Sequence, residues 1–175
     1  MANKSRIIIP CRAAYLNCWR PTTQYGGDPR YSLTAIIPKE DEETLKMIND
    51  AIEHTRDHSL DKWGGRLPGK LNYPLKDGDE SENSIYHNAY YMNMKSKDQP
   101  QIVDRNVKAI TDQTEVYSGC YIRVSCTIYA YSFGPAKGLA CWLGNIQKIR
   151  DAPALGGRKT ASEEFRPLPE EDFLQ

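Results

Sequence analysis

The sequence predicts a mainly β chain that closes into a small barrel, with one α-helix inserted after the second strand, long loops and a disordered acidic C-terminal tail. Three observations carry that expectation. Val116–Arg150 reads as two long strands rich in β-branched and aromatic residues, joined by a turn at Phe133–Gly138 where Gly and Pro supply the geometry. One segment alone, Asp41–Asp57, has a clear helical period. The residues after Arg150 lack periodicity and collect Pro, Gly and acids.

In chain order, Arg6–Leu16 alternates as a first strand, and Pro10 within it argues for an edge or a bulge. Asn17–Arg30 reads as a loop, ending on the glycine pair of Tyr25-Gly26-Gly27-Asp28-Pro29-Arg30. Tyr31–Ile37 is a second strand, closed by Pro38. The helix carries Leu45, Ile48, Ala51 and Ile52 on one stripe with Met47 adding to it, and Glu40, Asp41, Glu42 and Glu43 at the N-terminal end where the dipole favours anions. His58–Asn88 has no period and reads as a long excursion with a short hairpin, carrying function or covering an open edge. Ala89–Lys95 is a third strand with Met92 and Met94 on the core side, and Tyr91, Asn93 and Lys95 opposite. A short strand is expected at Gln101–Asp104 and a polar, helical segment at Asn106–Glu115. This count of strands around one helix fits the oligonucleotide-binding (OB) barrel, with a β-sandwich as the alternative.

At 175 residues the chain suits one domain, expected over residues 1–150 with a flexible tail over 151–175. No apolar run reaches the length of a membrane span, and Pro10, Cys11 and Arg12 break the N-terminal apolar run that a secretory signal needs. Five cysteines, an odd number set among strand residues, suit reduced thiols in a cytoplasm. The net charge is zero but uneven. Thr160–Gln175 holds five acids and one base, and Met1–Lys159 holds 22 bases against 18 acids. A mildly basic body can thus present an anion-binding face while the whole chain is neutral.

The first long strand splits cleanly. Ile122, Val124, Cys126, Ile128 and Ala130 make an apolar row, while Tyr121, Arg123, Ser125, Thr127, Tyr129, Tyr131 and Phe133 make the other. Rings interleaved with a cation suit single-stranded nucleic acid, whose bases stack on aromatics while cations track phosphates. The alternative is an ordinary solvated sheet face, since Tyr is a good strand former. The residues expected to bind nucleic acid are Arg12, Arg30, Tyr31, Tyr91, Lys95, Tyr121, Arg123, Tyr129, Tyr131, Lys137 and Trp142. Trp142 lies opposite Leu139, Cys141 and Leu143 in strand alternation, which fits the binding face, with a core position as the alternative since tryptophan in a barrel is about as often core. No catalytic residue, cofactor or metal is expected: Walker loops, dinucleotide fingerprints, nucleophile elbows, HExxH and CxxC pairs are all missing from the sequence. The acidic run Asp77–Glu82 is the one place for a metal-dependent nuclease, and His54 with His58 is read as solvent-facing. RNA binding stays open as a variant, since stacking and phosphate contacts do not distinguish the sugars.

Short motifs spread over nearly the whole chain add to this. Tyr25–Ser32 with Ile36-Ile37-Pro38-Lys39, Pro74–Asp79, Val116–Tyr121, Asn145–Asp151 with Leu155-Gly156-Gly157-Arg158, and the acidic end occur in an order that resembles phage single-stranded DNA-binding proteins. That family is related in fold to the T7-type phage protein. The resemblance implies an OB fold, sequence-independent binding of single-stranded DNA, a role in phage replication or recombination, and residence in the cytoplasm of the infected bacterium. The acidic tail, flexible and negative, is expected to lie in the same basic groove when DNA is absent and, once displaced, to recruit a phage DNA polymerase or another replication protein through Glu170, Glu171, Asp172 and Phe173. The T7-type relatives likewise carry an acidic tail. Two residues follow Phe173, a departure from the T7-type tail that ends on its aromatic. A homodimer is left open.

Overall fold

The computed structural model describes residues 4–23, 27–155 and 161–169. Seven strands and one long helix follow in the order β1 (Arg6–Thr22), β2 (Arg30–Pro38), α1 (Glu42–Asp57), β3 (Leu75–Asp77), β4 (Ala89–Ser96), β5 (Ile102–Val103), β6 (Tyr121–Phe133) and β7 (Ala136–Arg150). Antiparallel ladders join β4 to β2, β2 to β1, β1 to β6 and β6 to β7. A parallel contact between β4 and β7 at Lys95 and Trp142 closes the ring. The five strands β1, β2, β4, β7 and β6 therefore form a closed barrel of OB connectivity, with β3 laid beside β4 and β5 beside β7.

Alternation fills the interior as the sequence requires. Ile9, Leu33, Ile37, Met92, Met94, Ile122, Val124, Ile128, Leu139 and Ile146 are all essentially inaccessible. The helix follows β2 and packs Ile48, Ala51 and Ile52 against this core. Its N-terminus is capped by Asp41, whose carboxylate accepts from the Thr44 amide at 3.2 Å, with Glu42 and Glu43 in the first turn. Thr44 and Thr55 complete the buried stripe, whereas Met47 is 38 % exposed and belongs to the solvent side.

Several elements differ from expectation, each for a non-local reason. The first strand does not end at Leu16. A bulge at Tyr15, whose φ is 47°, shifts the register and lets the strand run to Thr22. There Cys18 is fully buried, and Trp19 donates its indole N–H to the Val116 carbonyl at 3.1 Å. Pro10 lies in the half of β1 that pairs with β6, before the ladder to β2 begins at Arg12. The segment after Asn106 is not helical beyond a single 3-10 turn at Gln113–Glu115, which Asp112 caps by accepting from the Thr114 amide at 2.9 Å. Residues 151–155 are tied to the barrel although they form no strand. Leu155 donates its amide to the Ser118 carbonyl at 3.0 Å, and Tyr117 donates its hydroxyl to the Ala152 carbonyl at 2.9 Å.

The excursion after the helix covers the barrel in three ways. Trp63 is buried in a 3-10 turn, β3 lengthens the sheet at β4, and Tyr86 stacks on Tyr91 at 4.1 Å with planes 9° apart. All five cysteines are free and buried, and burial pushes the Cys18 thiol up to about 12.

Candidate nucleic-acid interface

The outward rows of β2, β4, β7 and β6 meet around one shallow groove. On β2, Arg30 and Ser32 share the outward row with Thr34, and Ser32 is opposite Lys95 on β4. Lys95 bridges to Trp142 on β7, and Trp142 is opposite Thr127 on β6. Two residues further along β6, on the same face, the Tyr129 ring stacks beneath Trp142 at 4.4 Å with planes 14° apart. Trp142 remains 37 % exposed. Trp19 and Trp63, by contrast, both donate their indole N–H groups to backbone carbonyls, at 3.1 Å and 2.9 Å.

Two cavities of about 230 and 590 Å³ lie along this seam and share Asn93 and Ala140. The larger is walled by Asn72, Tyr73, Lys76 and Tyr131. Its wall is fixed by Asn72, which accepts from the Leu139 amide and donates to the Lys137 carbonyl, at 2.8 and 3.0 Å. Gly138 makes this approach possible, since a Cβ there would lie 2.6 Å from the Asn72 carbonyl oxygen. The Thr34 hydroxyl donates to Asn93 Oδ1 at 2.6 Å, leaving the Asn93 NH₂ toward the groove. Arg30 and Lys95 have no carboxylate partner among the described residues. Burial pushes the Tyr129 hydroxyl above the usual phenol range, so the ring stays neutral.

The structure thus brings together Arg30, Lys95, Tyr129, Tyr131 and Trp142. It separates the other expected residues from them. Tyr121 and Arg123 face outward, as alternation requires, but Tyr121 is eight positions from Tyr129, roughly 26 Å along a strand. The Arg150 guanidinium covers the Tyr121 ring at 4.1 Å, and Arg12 approaches it at 5.8 Å. Arg12 donates to the Gly119 carbonyl at 2.9 Å and the Pro153 carbonyl at 2.5 Å, so it clamps residues 151–155 to the barrel. Tyr91 has one ring face covered by Tyr86. Tyr31 packs against the main core with Leu33, and Lys137 shares the row of Leu139 at the barrel mouth. Glu170, Glu171, Asp172 and Phe173 lie outside the described residues. Sequence reading passed over Asn72, Tyr73, Lys76 and Ser32. For Asn93 the signal was present, as it shares the polar row of β4 with Lys95.

Two members of the acidic run after Lys76, Asp77 and Asp79, serve the structure. Lys39 reaches Asp77 at 2.8 Å and Asp79 at 2.6 Å, and Asp79 also accepts from the Asn88 amide at 2.8 Å. The Lys39 ammonium and the Asp79 amide hold the Asp77 carboxyl below the usual carboxylate range, and the Asn88 amide and Lys39 do the same for Asp79. Among the described residues no cluster of three His, Cys, Asp or Glu could hold a metal ion, and no helix is long and apolar enough to cross a membrane.

A five-stranded OB barrel with an aromatic and cationic groove on its outer face is the class that fold and site define. The model of the Enterobacter phage Enc34 ssDNA-binding protein family matches residues 5–174, and the chain belongs to that family. It is 32 % identical to protein p50 of Acyrthosiphon pisum secondary endosymbiont phage 1, over 93 % of this chain and 95 % of that one. Its fold is similar to that of the single-stranded DNA-binding protein of bacteriophage Enc34 in complex with ssDNA, with a TM-score of 0.76 at 20 % identity, covering 88 % of this chain and 91 % of the other. The single-stranded DNA-binding protein gp2.5 of bacteriophage T7 is similar at a TM-score of 0.61 and 15 % identity, over 87 % and 95 % of the two chains.

Proposed function

We propose that this chain binds single-stranded DNA without sequence preference and acts in phage DNA replication or recombination in the cytoplasm of the infected host. The observation that carries this reading is the exposed Trp142 face, backed by Tyr129 and flanked by the unpaired cations Arg30 and Lys95. A base stacks on Trp142 whatever its identity, because every base has a π-face. Arg30 and Lys95 neutralise the adjoining phosphates and release their counterions. Membership of the Enc34 ssDNA-binding family supports the same ligand.

The test is titration of tryptophan fluorescence with oligo-dT at two salt concentrations, beside oligo-rU and a duplex of equal length. Oligo-dT should quench the signal, with affinity that falls as salt rises, and the duplex should bind more weakly. Equal binding of the duplex at both salts would refute the groove.

The acidic terminus is the second part of the proposal. Carrying five acids and one base after Lys159, it competes with DNA for the basic body and, once displaced, recruits a DNA polymerase or another replication protein through Glu170, Glu171, Asp172 and Phe173. Deleting residues from Thr160 onward should tighten oligo-dT binding at low salt and leave it nearly unchanged at high salt, where the tail's charge is screened. Unchanged affinity at low salt would count against the competition.

A further inference from the structure

Three arginines outside the groove gather on the same outer face. Arg6 on β1, Arg123 on β6 and Arg105 on the loop after β5 line two adjoining clefts of about 250 and 230 Å³ that share Arg123 and Gln147. None of the three has a carboxylate partner among the described residues, although Lys39, Lys46, Arg56 and Lys148 all do. Arg123 donates to Gln147 Oε1 at 3.3 Å, which leaves three guanidiniums around one concavity with no carboxylate among the described residues to neutralise them.

The clefts also have an apolar side. Ile8 is 51 % exposed and Val107 71 % exposed. Val107 holds a φ of 63°, a left-handed conformation that a β-branched residue rarely adopts. The loop imposes it. Asp104 Oδ1 accepts from the Asn106 and Lys108 amides at 2.8 and 3.0 Å, and its carbonyl accepts from the Val107 amide at 3.0 Å. The Asp104 carboxylate is therefore turned into its own loop, while Arg105 stands at the cleft with one guanidinium N–H donated to the Ile149 carbonyl at 3.1 Å.

Strand register connects this region to the groove. Lys95, Trp142, Thr127 and Arg6 are successive partners across β4, β7, β6 and β1, a single transverse row on the order of 14 Å long at ordinary strand spacing. We propose that Arg6, Arg105 and Arg123 form a second phosphodiester-binding cleft, which takes the backbone of the same DNA strand after it passes over Trp142 and crosses Thr127. The site then has two parts, an aromatic groove that holds bases and an arginine cleft that holds phosphates, with Ile8 and Val107 against the sugars. The inference rests on the groove reading above for the direction of the strand.

The test uses the full chain with Arg6→Ala and Arg105→Ala combined, and an oligo-dT series read by anisotropy of labelled DNA and by tryptophan quenching. OB barrels cover about 4–16 nucleotides, so a series from about 4 to about 24 spans groove and cleft. The shortest oligonucleotides should bind the double variant as they bind the parent. The longest should bind it more weakly, with the log–log salt slope reduced by about 1.4 for two lost contacts. Arg6→Lys with Arg105→Lys should keep most of the parent slope. Equal losses at every length, or no loss at any length, would overturn the cleft. If quenching fails at all lengths while the length-dependent loss persists, the groove reading falls and the cleft stands.

Discussion

Replacing Trp142 by alanine is expected to weaken oligo-dT binding by about 5- to 150-fold, the equivalent of one base stack worth roughly 1–3 kcal/mol. The log–log salt slope should not change, because no cation is removed. Trp142→Phe should recover most of the affinity while removing most of the fluorescence change, since Trp63 is buried and both Trp19 and Trp63 have their indole N–H groups tied to backbone carbonyls. Tyr129→Ala should produce a smaller loss. That ring is half-buried beneath Trp142, and its role is to hold the indole flat. Anisotropy of a labelled oligonucleotide reads all three variants without depending on the indole. If Trp142→Ala binds as the parent does, or if its slope falls together with its affinity, the exposed ring is not a stacking platform.

What the sequence disclosed follows from which contacts are local. Alternation along β6 is a local property, and every interior residue from Ile122 to Ile128 is buried as it requires. The helix was legible for the same reason, with stripe and cap within its own turns. Trp142 and Lys95 were readable one strand at a time, but their adjacency depends on the parallel closure of β4 on β7, which no local pattern encodes. Arg12 carried the signature of a phosphate contact and instead binds carbonyls of Gly119 and Pro153, more than 100 positions away. Tyr91 was on the expected row, yet the aperiodic excursion delivers Tyr86 onto its face. Tyr31 and Lys137 fell to parity, since each shares its row with core residues of its own strand.

Charge explains the rest. A cation is uninformative in sequence until its neighbours are known, because pairing decides whether it is structural. Lys39 sits beside two carboxylates and serves the excursion, while Arg30 and Lys95 have no carboxylate partner among the described residues and remain available to a ligand. The neutral total thus conceals an outer face with several unneutralised cations, and it is this distribution that an anionic polymer encounters.

Gly144→Ala tests the bulge that separates the groove from the arginine cleft. Between the pairs Val124–Ile146 and Cys126–Leu143, Ser125 alone faces Gly144 and Asn145, and its hydroxyl accepts from the Asn145 amide at 2.7 Å. A Cβ on Gly144 would lie 2.4 Å from the Ser125 hydroxyl oxygen and 2.6 Å from its carbonyl oxygen. The second contact is with backbone, so no side-chain rotation relieves it and β6 and β7 must part. Overpacking of this kind costs about 1–3 kcal/mol, and the fixed carbonyl argues for the upper end. For a chain of this size that corresponds to a fall in Tm of about 6–12 °C for about 3 kcal/mol, read by calorimetry. Adding Ser125→Ala to Gly144→Ala should not rescue it, because the carbonyl remains in place and the Asn145 amide loses its acceptor. Rescue by that second change would mean the hydroxyl, not the backbone, sets the spacing of the two strands, and the glycine requirement would then be a side-chain matter.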